Sequence, residues 1–113
     1  MTSWTRSRKE PFEIVVDDAR IGAHGRVVLA TIHMPLREVP LRLDVAGIVR
    51  AGRLLARALR ERFTARPVIG VLGLNPHAGE RGLLGDEERT IVGPAVEALR
   101  AWATASGEPA EFR

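Results

Sequence analysis

Two apolar runs of eight residues, 26–33 (RVVLATIH) and 67–74 (PVIGVLGL), constrain this chain more than any other feature. Both are short and rich in β-branched or aliphatic residues, the pattern of a strand covered on both faces. The stretch between them has a different period. Val45, Ile48, Val49, Gly52, Leu55, Ala56 and Leu59 recur at spacings of three and four, with Arg50, Arg53, Arg57 and Arg60 on the opposite side. This predicts an amphipathic helix to about Arg62, with Asp44 placed to cap it. A strand, a helix and a strand in succession imply an α/β layered sheet with a parallel pair.

The flanks read less regularly. Residues 1–11 are polar and basic, a tail, and 12–16 form a short β-branched strand. Residues 20–25, with two glycines and His24, read as a connection. Pro35 and Pro40 bracket an irregular segment over 34–43. The second apolar run enters a glycine-rich loop, 75–85. Asp86 is expected to cap a last helix reaching about Thr104, with Glu87 and Glu88 where the helix dipole favours acids. Gly93-Pro94 should kink that helix, because proline removes a donor and crowds the preceding turn. Residues 108–113 read as too short for a further strand. One α/β domain is expected over 12–113.

Composition narrows the function classes. With 113 residues the chain can bury about two-thirds of its unfolded surface, enough for one modest core. Hydrophobic residues at 45% and charged residues at 27% are ordinary globular values, which argues against global disorder. The absence of cysteine excludes a disulfide framework and a thiolate metal site. No apolar run approaches the length of a membrane span, and no apolar core follows the basic N-terminus as in a secretion signal. The cytoplasm is the expected location. Sixteen of the seventeen basic residues are arginine, but fourteen acids hold the net charge to +3 and aromatics are only 4%. Nucleic-acid binders concentrate charge and interleave aromatic platforms, so neither nucleic acid nor membrane is expected as a partner. The arginines of the helix read as a solvated face.

Ligands of open α/β sheets gather at the carboxyl ends of strands. Here each apolar run delivers a histidine to that place: His33, followed by Pro35, and His77, followed by Gly79. If the two strands are neighbours, both imidazoles face one cleft. Neutral imidazole is the commonest metal ligand, and rigid flanking residues suit a site. His24 has no such partner pattern and reads as structural. The loop 75–85 also resembles a phosphate cradle, since it follows a strand and opens a helix. It fits neither established phosphate-loop pattern, and Asp86, Glu87 and Glu88 would repel an anion. A metal and substrate loop is the preferred reading, with Asn75, Gly79 and Glu80 as support.

Residues 73–88 (GLNPHAGERGLLGDEE) closely resemble the signature loop of the 4-hydroxythreonine-4-phosphate dehydrogenase family of vitamin B6 biosynthesis. Residues 26–36 (RVVLATIHMPL) look like the other internal motif of that family, at the expected distance upstream. The resemblance covers about residues 26–100. It implies a three-layer α/β/α fragment of an isocitrate/isopropylmalate dehydrogenase-like fold, with a short, partly parallel sheet. It also implies an NAD(P)-dependent oxidation and decarboxylation of a phosphorylated hydroxy acid, assisted by a divalent metal (Zn, Co or Mg), in a homodimer. Two of the three metal histidines fall on His33 and His77. The third, and the Lys, Asn and Arg that hold the phosphate, belong to later motifs of the family. The chain is therefore expected to be the central portion of such an enzyme, inactive alone and dependent on a second copy or a complementing chain. Its catalytic and nucleotide-contacting residues are left unassigned. Two alternatives stay open: a related dehydrogenase of four-carbon sugar-acid phosphates, and a non-catalytic oligomerising module.

Overall fold

The computed structural model describes residues 26–113 in full, together with the backbone of strands β1 (Thr2–Thr5) and β2 (Ile14–Asp17). Contacts divide the chain into two compact units, Met1–Leu43 and Asp44–Arg113. His24 and the connection around it lie outside the described residues. So does most of the expected tail, although Thr2–Thr5 within it is a strand.

In the first unit β1, β2 and β3 (Arg26–Val28) form an antiparallel sheet in that order. The register pairs Ile14 with Val28 and Val16 with Arg26. The strand expected over 26–33 stops at Val28, where its ladder with β2 ends. Nor is it covered on both faces, since Val27 is 50% exposed. The segment read as irregular holds a tight turn at Leu36–Glu38 and one helical turn, α1 (Val39–Arg42).

The second unit is built on helix α2 (Val45–Arg62). Asp44 caps it as expected, its Oδ1 accepting from the Gly47 N–H at 2.7 Å. Ile48, Ala51, Gly52, Leu55 and Ala56 are its buried residues, a stripe at helical spacing. This stripe packs on helix α3 (Gly93–Ser106), which buries Ala95, Leu99 and Ala103. Ile69, Val92 and Phe112 complete the core.

A π-helical turn over Glu88–Val92 precedes α3 and runs into it. It accommodates the Gly93-Pro94 pair expected to kink this helix. The wider turn lets the Gly93 N–H reach the Glu88 carbonyl, so the chain enters Pro94 at the first turn of α3, where the missing donor costs little. Asp86 does not cap through its side chain. Its carbonyl instead accepts from the N–H groups of Arg89 and Thr90.

Strand β4 (Val68–Ile69) pairs in parallel with β5 (Glu111–Phe112), Val68 opposite Glu111 and Ile69 opposite Phe112. The expectation that residues 108–113 could not supply a strand is thus corrected. The Pro67 and Ile69 carbonyls accept from the Glu111 and Arg113 N–H groups at 2.8 and 2.9 Å. The Phe112 carbonyl accepts from Arg100 Nε. The strand expected over 67–74 is correspondingly short, because β5 offers few residues to pair with. Helices with this short parallel pair make the unit an α/β fragment. No helix among the described residues is long and apolar enough to cross a membrane.

The arginine face of α2 is only partly solvated. Arg53 and Arg57 lie over the Trp102 ring, 5.0 and 5.8 Å from its centroid. Arg60 pairs with Glu108 at 3.0 Å.

Candidate functional site

His77 stands in a loop whose backbone is left-handed over an unusual length. The φ angles of His77, Ala78, Glu80 and Arg81 are 51°, 51°, 45° and 60°, and Gly79, Gly82 and Gly85 are also positive. Each non-glycine residue held there costs roughly 1–2 kcal/mol. Such a run persists only where its surroundings over-determine it.

Gly79 is the hub. Its carbonyl accepts from the N–H groups of Gly82 and Leu84, both at 2.9 Å. It is buried, and a Cβ on it would collide with the Gly85 carbonyl. A Cβ on Gly85 would stand 2.5 Å from Asn75 Nδ2. These two glycines let the loop fold onto its own entry.

The Glu88 carboxylate closes the structure. Its Oε1 accepts from the Asn75 N–H at 2.5 Å and its Oε2 from Asn75 Nδ2 at 2.9 Å. The backbone N–H of Asn75, followed by its side-chain amide, holds the Glu88 carboxyl below the usual carboxylate range, with burial opposing them. This also bears on the phosphate-cradle reading: the Asn75 N–H already serves an anion, and that anion is the protein's own.

Of the residues read as support, Asn75 meets Glu88 and Gly79 bonds Gly82 and Leu84, while the Glu80 side chain is exposed and its backbone N–H donates to the His77 carbonyl. The bracing acid is Glu88. Sequence reasoning assigned it to the helix dipole, because spacing alone does not show a carboxylate reaching back thirteen residues across a loop.

His33 occupies a bend after β3, exposed, with φ 53°. Both candidate ligands thus share a left-handed backbone, which histidine visits more readily than most residues. Among the described residues, β3 pairs with β2 in the first unit, and β4 with β5 in the second. Among the described residues, no group of three or more His, Cys, Asp or Glu is placed to hold a metal ion. His33 in the first unit and His77 in the second are each an exposed imidazole, and either one is a single donor that a metal site must complete.

The family model described as "Pyridoxal phosphate biosynthetic protein PdxA" matches residues 19–110. The chain belongs to that family. A 4-hydroxythreonine-4-phosphate dehydrogenase of Caulobacter vibrioides is 41% identical over 109 residues, covering 87% of this chain and 33% of the relative. The crystal structure of the Klebsiella pneumoniae enzyme of that name superposes with a TM-score of 0.66 at 42% identity, covering 75% of this chain and 25% of that one. The Burkholderia phymatum enzyme gives 0.65 at 32%, with the same coverage. The chain thus spans a quarter to a third of the length of these PdxA relatives, and the α/β fold read from its sequence is theirs.

Proposed function

We propose that this chain supplies two metal-binding histidines, His33 and His77, to an NAD(P)-dependent 4-hydroxythreonine-4-phosphate dehydrogenase, with the remaining donors coming from a second copy or a complementing chain. The observation that carries the reading is the restrained left-handed loop around His77, in a segment matched by the PdxA family model. An exposed imidazole on a backbone held this firmly is arranged for a ligand rather than for packing. A divalent ion bound there would supply Lewis-acid polarisation of a substrate hydroxyl. Asn75, Gly79 and Glu88 shape the loop, and His77 presents its ring outward. The substrate would be a phosphorylated hydroxy acid.

The test is a Co²⁺ titration of the chain followed by its visible spectrum, beside His33→Ala and His77→Ala. Saturable binding that either substitution weakens supports the reading. Binding indifferent to both, or none in the presence of the rest of the enzyme, overturns it.

A further inference from the structure

We propose that Glu88 is a positioning residue that acts through Asn75 to hold the 75–85 loop in the conformation presenting His77. Its bearing on metal binding rests on the reading of His77 given above; its structural half stands independently. The loop's own backbone bonds tie its middle to itself, through Gly79. The Glu88 carboxylate instead ties its entry to the start of the last helical segment. Two donors on Asn75 meet two carboxylate oxygens, which fixes both the position and the rotation of the peptide two residues before His77. The loop also wraps the carboxylate closely. A Cβ on Gly73 would stand 3.0 Å from Oε1, and one on Gly79 3.1 Å from Oε2. The mount is firm, because the π-helical turn that Glu88 begins is anchored by buried Val92. Asp86 and Glu87 already give the helix start its negative charge, so the dipole does not require Glu88 as well. His77 is itself exposed, and loop packing does not need its ring.

The pair offers a reciprocal test. In Glu88→Gln, both bonds survive if the Asn75 carboxamide turns over, its Oδ1 accepting from the new amide group. In Asn75→Asp, two carboxylates face each other. In Asn75→Asp with Glu88→Gln, the bonding pattern is restored with the charge moved across. Hydrogen exchange at the Glu80, Gly82 and Leu84 amides reads the loop, and exchange at Leu99 and Ala103 reads the core. Glu88→Ala and Asn75→Asp are expected to speed the loop amides about tenfold or more, with the core amides at parental rates. Glu88→Gln, which keeps the bonds without the charge, should lie between the parent and Glu88→Ala, and the double variant nearer the parent. A loop unchanged in Glu88→Ala, a double variant no better than Asn75→Asp alone, or equal acceleration in the core would each overturn the proposal. A Co²⁺ titration adds the functional arm. Glu88→Ala should weaken binding about tenfold where His77→Ala abolishes it, and parental affinity in Glu88→Ala would overturn the link to His77. A parent that binds no Co²⁺ even in the presence of the rest of the enzyme would overturn the metal reading alone, and exchange would then decide the clamp.

Discussion

Gly52 of α2 lies directly against Leu99 of α3: a Cβ on Gly52 would stand 2.7 Å from Leu99 Cδ1 and 2.9 Å from Cδ2. Leu99 is fully buried, so it has little room to retreat. Gly52→Ala would gain about 1 kcal/mol of helix propensity. Overpacking typically costs 1–3 kcal/mol, and here it meets a side chain closed in on all sides. The expected result is net destabilisation of about 1 kcal/mol, read from urea denaturation. Leu99→Ala should cost about 2–5 kcal/mol, and less when combined with Gly52→Ala, which refills part of the cavity. A stabilised Gly52→Ala would show that the helices separate easily.

The loop glycines separate two kinds of strain. Gly79 has φ 79° and the Gly85 carbonyl beside its missing Cβ; Gly82 has φ 97° and nothing within 4 Å. Gly82→Ala should therefore cost only the backbone term, about 1 kcal/mol. Gly79→Ala adds a collision with backbone and should exceed about 2 kcal/mol or disorder the loop. Amide exchange across 79–85 distinguishes them, and equal effects would contradict the close approach.

What could be read in advance followed the range of the forces involved. Helix α2 was legible to its ends, because period and cap are local: Asp44 caps and Arg62 closes. Strand β5 was not, since Glu111–Phe112 is a strand only because Pro67 and Ile69 offer it carbonyls. The two-sided burial expected of 26–33 failed because what covers a strand's faces is tertiary packing, which a local apolar run does not specify, and Val27 is half exposed. In the site, residue types and spacing singled out His33, Asn75, His77 and Gly79. They did not show Glu88, whose role exists only once the loop has folded back on it.

Trp102 joins the arginine face of α2 to the core. Its ring meets Phe112 edge-on at 6.3 Å, and Arg53 and Arg57 cover it. At partly exposed sites such a cation over an indole contributes about 0.5–1 kcal/mol. Arg53→Ala and Arg57→Ala should each cost about that amount. A double-mutant cycle of Arg53→Ala with Trp102→Leu should give a coupling of similar size in thermal unfolding. A coupling of zero would return these arginines to the solvated face expected from the sequence.

The clamp between Glu88 and Asn75 also sets a pH dependence. Donation from the Asn75 backbone N–H, and next from its side chain, favours the charged carboxylate, so the folded-state pKa lies below the ordinary value. The stabilisation is then fully present above the range in which an unfolded glutamate titrates. It is lost as pH falls through the depressed folded-state value. The loop should loosen as pH falls through that lowered value. The Asn75 amide ¹⁵N shift is the direct reporter, with a midpoint expected below that of glutamate in an unstructured peptide of the same sequence. Glu88→Gln should abolish that titration. A midpoint at or above the peptide's would mean that the two bonds do not favour the charged form.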